Sequence, residues 1–184
     1  MKANPKIPID KYIPLESHTV IMDTNILINL FYPINFSSDA DKIDVLFKNL
    51  IQSKCKLIIS AIQISEFVNR CIRIQFNLYN EVNPNSDYKK DYRNTDDYKD
   101  NMKAIIDIIK TDIMQSFIII DDGFSMMKYE RIFLYGFSYD FNDALIVEIA
   151  RNHKAIVITN DKDYANYGND FPIVTNNNFL LKLR

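Results

Sequence analysis

The sequence predicts an α/β protein in which helices cover both faces of a central parallel sheet. Apolar runs of strand length recur along the 184-residue chain, and helix-length patterns separate them. The runs are short and continuously apolar, as expected for strands that are buried on both faces. The alternation of such strands with helices indicates a parallel sheet between two helical layers.

The elements of this fold can be assigned in order along the chain. The helix after Ser60 has a defined start, because Ser60 and Gln63 fit a capping box. Asp140 is placed to cap the last of the long helices. The predicted strands are Val20–Met22, Leu57–Ile59, Phe117–Ile120, Ile156–Ile158 and Ile173–Val174, and the predicted helices are Ala40–Ser53, Ala61–Tyr79, Tyr98–Gln115 and Phe141–His153.

A polar stretch between Tyr79 and Asp100 interrupts the alternation of strands and helices. We predict a loop or insertion between two helices there, and the most mobile part of the chain. Tyrosines in this stretch lie among Lys and Arg residues, as they do in proteins that bind single strands. Several acids dilute that positive charge, so a solvated, flexible loop is the favoured interpretation; they are Asp87, Asp91, Asp96, Asp97 and Asp100.

Composition indicates one globular domain spanning residues 1–184, with a cytoplasmic location. The net charge is −2, which does not favour a passive nucleic-acid binder with a basic surface. The glycines are isolated, so a phosphate-cradling loop is not expected. Cys55 and Cys71 lack metal-type spacing and are expected to be buried free thiols. The N-terminal residues do not fit a signal peptide, and the apolar runs are too short for a membrane span.

Two aspartates follow predicted strands directly. Asp23 comes after Val20–Met22, and Asp161 comes just after the strand that ends at Ile158. Ligands of parallel α/β sheets bind beyond the carboxyl ends of the strands, so both acids are candidates for a functional site. Asp161 and Asp163, two residues apart, also suit a metal ion. The alternative is local structure, in which these acids cap helices or stabilise turns.

Two further acids lie on predicted helices. Glu66 is four residues before Arg70, and on its own this spacing is explained by a solvated ion pair. Asp143 shares its helical direction with Ile146 and Ala150, where an uncompensated carboxylate would be costly. A place in the first turn of its helix, favoured by the helix dipole, is the alternative for Asp143.

Four segments, taken together, resemble the PIN-domain family of metal-dependent nucleases, which includes VapC-type toxins. The segments are "IMDTN", "SAIQISEF", "NDALIVEIAR" and "IVITNDKDY", and they follow the family order across roughly Thr19–Thr175. The resemblance implies a three-layer α/β/α sandwich, Rossmann-like, with a central parallel sheet. The polar stretch at 79–100 departs from the compact members of the family.

The resemblance also implies a set of site residues. The acidic quartet is Asp23, Glu66, Asp143 and Asp161, with Asp163 as a further metal ligand and Asp140 as a rival to Asp143. Asn25 and Thr159 would be polar supports of the acids. Basic residues near the quartet that are candidates for contact with substrate phosphates are Arg70, Arg73 and Lys162.

The implied activity is hydrolysis of phosphodiester bonds, usually in RNA, with Mg²⁺ or Mn²⁺ as cofactor. Four clustered acids would repel one another, and a divalent cation with oxygen ligands removes that repulsion. Implied partners are the RNA substrate, an antitoxin protein and a second copy of the chain. Alternatives are RNA processing, DNA cleavage and a non-catalytic binding module. A phosphatase with Asp23 as nucleophile is less favoured, because Asn25 stands where a second aspartate is expected.

Overall fold

The computed structural model describes residues 6–33, 40–133, 140–168 and 170–183. Within these residues, six strands form one sheet in which every neighbouring pair is parallel. The strands are β1 (Lys6–Pro8), β2 (Thr19–Met22), β3 (Lys56–Ser60), β4 (Ile118–Ile120), β5 (Ile156–Ile158) and β6 (Ile173–Thr175). Their spatial order is β1-β6-β5-β2-β3-β4, so β2 and β5 are central neighbours.

Helices connect the strands and account for most of the remaining described residues. They are α1 (Thr24–Phe31), α2 (Ala40–Gln52), α3 (Ala61–Val82), α4 (Asp96–Ile108), α5 (Met114–Ser116), α6 (Tyr129–Phe133), α7 (Phe141–His153) and α8 (Asn178–Lys182). A π-helical turn over Ile109–Ile113 joins α4 to α5, and 3₁₀ turns lie at Ile9–Lys11, Tyr92–Asn94, Phe124–Met126 and Lys162–Tyr167. Among the described helices, none is long and apolar enough to cross a membrane.

Alternate strand residues face two separate cores, which makes the sheet the middle of three layers. Val20 and Met22 pack in the core beneath α1 to α4, whereas Ile21 faces the core beneath α7. β3 alternates in the same way, with Ile58 on the face of Ile21. The α/β/α sandwich with a parallel sheet is therefore confirmed.

The two edges of the sheet differ from the sequence-based expectation. β1 pairs with β6 at one edge, yet its segment contains Pro8 and gave no strand signal. At the other edge, the predicted run Phe117–Ile120 is not uniformly buried. Ile118 and Ile119 are about half exposed, at 48% and 51%, because β4 has a neighbour on one side only within the described chain. Edge strands retain exposed surface that central strands lose.

The stretch between Tyr79 and Asp100 is more ordered in its packing than a solvated loop. α3 extends to Val82, and α4 already begins at Asp96, capped by the hydroxyl of Thr95, which accepts from the Tyr98 N–H (3.1 Å). The side chain of Tyr92 has no exposed surface. The expected flexible loop therefore contains a buried anchor. Each ring of this cluster has its centroid within 6.5 Å of that of at least one other member; the members are Phe76, Tyr79, Tyr88, Tyr92 and Tyr98.

The two cysteines are free, but only one is buried. Cys71 lies in the core on α3, as expected. Cys55 is half-buried, and its Sγ donates a hydrogen bond to the carbonyl of Leu15 (3.1 Å). The expectation that both thiols are buried is corrected for Cys55, which precedes the first residue of β3.

Candidate active site

Asp23 lies at the carboxyl end of the central strand β2 and is 2% exposed. Its backbone N–H donates to the carbonyl of Ile158 (2.9 Å), which extends the pairing of β2 with β5. Its carboxylate accepts hydrogen bonds from the Thr159 hydroxyl (2.8 Å) and the Asn25 amide (3.4 Å). Although Asp23 occupies the N-cap position of α1, its side chain makes no capping hydrogen bond. The carboxylate is thus directed to the site, and the capping alternative is wrong for Asp23.

Glu66 is buried against α1 instead of facing solvent. Its carboxylate accepts from the Thr24 hydroxyl (2.9 Å) and pairs with Arg70 (2.6 Å). Arg70 also donates to the side-chain oxygen of Asn25 (2.5 Å). The ion pair expected from the i,i+4 spacing is present, but the solvated-face interpretation is corrected by the 7% exposure of Glu66.

Asp161 and Asp23 are linked by hydrogen bonds to the same hydroxyl group, that of Thr159. The backbone N–H of Asp161 donates to the Thr159 hydroxyl (2.9 Å), and that hydroxyl donates to Asp23. The Asp161 carboxylate also accepts from the backbone N–H of Asp163 (2.9 Å), so it caps the following 3₁₀ turn. The side chain of Asp163 is exposed, and its role as a metal ligand stays a prediction.

Asp143 enters the cluster from α7, on the other face of the sheet from α3. It is 7% exposed, in agreement with the apolar direction predicted for it. Asp140 is exposed and caps α7, accepting from the backbone N–H of Asn142 (2.7 Å). The structure therefore gives Asp140 the capping role that the sequence predicted.

The charges of the four acids act on one another. Burial raises the pKa of Asp23 to about 6, helped by the charges of Glu66 and Asp161 and opposed by the hydrogen bond from Thr159. Burial also raises the pKa of Asp143 to about 8, and the charges of Asp23, Asp140, Asp161 and Glu66 act in the same direction. Carboxylates that repel one another in this way would be stabilised by a bound cation.

Tyr164 adds an unpaired hydroxyl beside these acids. Its side chain is fully buried, and its hydroxyl has no hydrogen-bond partner among the described residues. Burial raises the pKa of Tyr164 well above its usual value, and the charges of Asp23, Asp143 and Glu66 raise it further. The hydroxyl therefore stays protonated and can donate to a group that enters the cluster. A buried donor without a partner is costly, so it marks a place for such a group.

The donor chemistry of the cluster fits a hard divalent cation, although the side chains are not arranged around one. Mg²⁺ and Mn²⁺ favour oxygen ligands, and the four acids supply only such atoms. In the described ranges of the chain, no three His, Cys, Asp or Glu side chains are already placed to hold an ion. Binding an ion would therefore require some movement of the carboxylate side chains.

Sequence reasoning missed two polar residues of this site. Thr24 gave no signal apart from its position between two proposed site residues, and its role depends on α3 packing against α1. Tyr164 was indistinguishable from a core aromatic, because nothing in the sequence shows that its hydroxyl lies beside acids. Both roles depend on contacts between residues that are distant along the chain.

The fold and the site together define this chain as an α/β protein with a cluster of acids at the carboxyl edge of its parallel sheet. The model of the PIN domain family matches residues 20–170, which include all four acids. The chain therefore belongs to the PIN-domain family. Members of this family are generally nucleases that use divalent metal ions.

Solved structures align with this chain at low sequence identity. FitAcB from Neisseria gonorrhoeae aligns with a TM-score of 0.51 and 14% identity, over 84% of this chain and 96% of that one. VapBC2 from Rickettsia felis, bound to a DNA fragment from its promoter, aligns with a TM-score of 0.48 and 17% identity, over 85% and 98%. No curated protein matches the chain.

Proposed function

We propose that the chain is an endoribonuclease that hydrolyses RNA phosphodiester bonds with Mg²⁺ or Mn²⁺. The observation that carries the proposal is the coupled set of Asp23, Glu66, Asp143 and Asp161 at the carboxyl edge of the sheet. Two of these acids have raised pKa values that a cation would relieve. Membership of the PIN-domain family supports the nuclease class.

Each acid is given a role in this reaction. Asp23, Asp143 and Asp161 would hold the ion, with Asp163 as an additional ligand from the adjoining turn. Glu66, held by Thr24 and Arg70, would orient the attacking water and accept its proton. Thr159 fixes the orientation of the Asp23 carboxylate. When bound, the cation supplies an acidified water and neutralises charge on the phosphate.

The biological setting that we propose is a toxin paired with an antitoxin protein, in the cytoplasm. An exposed group of apolar side chains supports contact with another protein chain, either the antitoxin or a second copy of this one. This group consists of Phe124, Met126, Tyr129, Phe133 and Phe141, whose exposed fractions range from 36% to 85%. Sedimentation of the purified chain tests whether it forms a homodimer.

The decisive experiment is cleavage of end-labelled single-stranded RNA and DNA with Mg²⁺, with Mn²⁺ and with EDTA. Asp23→Asn and Asp143→Asn should each lower the rate of RNA cleavage by a factor on the order of 10²–10⁴, because each removes a charged ligand. EDTA should have the same effect on the unaltered chain. The folded state is checked by circular dichroism.

The matched control is Asp100→Asn on α4, which makes the same chemical change at an exposed position. That variant should cleave at the original rate. Undiminished, metal-dependent cleavage by folded Asp23→Asn would contradict the assignment. Cleavage of DNA but not RNA would retain the nuclease class and replace the substrate.

A further inference from the structure

A groove between α1 and α3 opens beside the acidic cluster. Its volume is about 660 Å³, within the range of cavities that hold a ligand or a short piece of a polymer. One wall is a single face of α1, and the other is a face of α3. The lining residues are Asn25, Ile28 and Asn29 from α1 and Asn69, Arg70, Arg73, Ile74 and Asn77 from α3.

The lining of the groove has the chemistry of a nucleic-acid contact. It carries four side-chain amides and two guanidinium groups, and no carboxylate is among its residues. Guanidinium groups bind phosphate oxygens, whereas amides offer donors and acceptors that match the edges of unpaired bases. Arg70 is paired with Glu66, so the positive charge that the groove offers to a ligand comes from Arg73.

The groove is continuous with the proposed catalytic residues. Arg70 lines it and at the same time pairs with Glu66 and donates to Asn25. Asn25 in turn donates to the carboxylate of Asp23. A strand lying in the groove would therefore have its next phosphate close to the acids.

Arg73 is held in place by the stretch between α3 and α4. Its guanidinium lies over the ring of Tyr88, 3.8 Å from the ring centroid. Tyr88 packs against Phe76 and the buried Tyr92, so the ring is itself fixed. Such a cation–π contact limits the freedom of a long side chain and leaves its N–H groups available.

We infer that this groove binds a single-stranded segment of the RNA substrate, with Arg73 on a backbone phosphate and the asparagine amides, apart from that of Asn25, on base edges. The inference rests on the proposed function for its choice of RNA. Tyr88 acts as a positioning residue, because it touches Arg73 and not the strand. The polar stretch at 79–100 thus serves the substrate site through one tyrosine.

A single strand fits the groove better than the alternatives. An amphipathic protein helix would need a row of apolar side chains, and Ile28 and Ile74 are the only apolar residues among those that line the groove. A duplex presents its phosphates on two strands and hides its base edges, so the amides would be left without partners.

The test measures binding of a short fluorescent single-stranded RNA at several KCl concentrations, in EDTA. Asp143→Asn serves as the non-cleaving background, since Asp143 does not line the groove. Arg73→Gln should raise Kd about tenfold and reduce the slope of log K against log salt by about 0.7. Arg93→Gln is the matched control, because Arg93 also lies over a tyrosine, Tyr98, but lies outside the groove. It should change neither quantity.

Substitutions of Tyr88 separate positioning from folding. Tyr88→Phe keeps the aromatic face and should bind RNA like the parent. Tyr88→Leu should reproduce part of the salt-slope change of Arg73→Gln, and the two changes combined should be less than additive. In metal-dependent cleavage by the otherwise unaltered chain, Arg73→Gln should raise KM and leave kcat within about twofold.

Equal RNA binding by the Arg73→Gln and Arg93→Gln variants would overturn the inference, as would binding of a duplex as tight as that of the single strand. The groove would then be free for a protein partner. A failure of the proposed nuclease function would give a different experimental result. If the chain binds RNA through Arg73 but cleaves none with Mg²⁺ or Mn²⁺, the groove stands and the nuclease assignment fails.

Discussion

At the scale of single residues, Thr159 connects two acids that belong to adjacent strands. Its hydroxyl accepts from the Asp161 N–H and donates to the Asp23 carboxylate. Thr159 has no exposed surface, so water does not compete for these bonds. One hydroxyl therefore holds the carboxylate of Asp23 and the backbone of Asp161, two proposed metal ligands. Partners of this kind commonly affect metal affinity almost as strongly as the ligands do.

We predict that Thr159→Val lowers Mn²⁺ affinity or RNA cleavage by a factor of about 10–100, because valine keeps the shape and loses both hydrogen bonds. Isothermal titration with Mn²⁺ and the cleavage assay measure the two quantities. Thr159→Ser retains the hydroxyl and should stay within a few-fold of the parent. Equal losses in the two variants would indicate a packing effect and contradict the role of the hydroxyl.

The site residues that follow the end of a strand could be predicted from the sequence. Asp23 and Asp161 could be placed from sequence, because each follows an apolar run and parallel strands bring their carboxyl ends to one edge. Thr24 could not, since its contact with Glu66 joins residues 42 positions apart. The burial of Glu66 has the same origin, because helical periodicity does not report which other helix covers a face.

At the scale of elements, the connection between α3 and α4 is anchored by aromatic packing. Tyr92 is completely buried, and its ring centroid lies 4.9 Å from that of Tyr79 and 5.5 Å from those of Phe76 and Tyr98. These tyrosines and the phenylalanine come from α3, α4 and the turn between them. The connection therefore stabilises the packing of α4 against α3, the helix that carries Glu66 and Arg70.

We predict that Tyr92→Ala lowers the free energy of unfolding by about 3–5 kcal/mol, because it leaves a cavity among packed rings. Urea unfolding followed by circular dichroism gives this quantity. Tyr129→Ala, at a position that is 44% exposed, is the control and should cost less than about 1 kcal/mol. Similar small losses in both variants would mean that the connection is as mobile as its composition suggests.

The sequence could not predict the packing of this connection, because its aromatic residues have neither helical nor strand periodicity. Tyr88 and Tyr92 lie among charged residues whose exposure dominates the local pattern. β1 was missed for a related reason. Lys6–Pro8 is short and polar at its start, and it becomes a strand only through pairing with β6 from the far end of the described chain. Long, periodic helices such as α3 and α7 needed no such context.

At the scale of the whole molecule, the buried acids make the stability of the metal-free chain depend on pH. The pKa of Asp23 is raised to about 6 and that of Asp143 to about 8. The folded state therefore holds these protons more tightly than the unfolded state does. The resulting stabilisation is complete below about pH 4, the ordinary carboxyl range, and is lost as pH rises through about 6 and then about 8.

We predict that the melting temperature of the EDTA-treated chain falls by about 5 °C between about pH 5 and pH 8.5. Asp143→Asn should flatten the upper part of this decline, whereas Asp100→Asn should not. Mn²⁺ should bind more weakly as pH falls below about 8, because binding requires ionised carboxylates. Calorimetric melts with and without Mn²⁺ measure both effects. A decline of equal steepness in Asp143→Asn would contradict the raised pKa.

The strand order has a consequence for the synthesis of the protein. β2, at the centre of the sheet, has β3 on one side and β5 on the other, and β5 is made long after both. A growing chain on the ribosome thus presents Asp23 and Glu66 without Asp143 or Asp161. Under the proposed function, the nuclease cannot act while it is still being synthesised, because its active site is incomplete until β5 and Asp161 have been made. On the same proposal, the chain does not cleave the messenger RNA that encodes it until translation has passed β5.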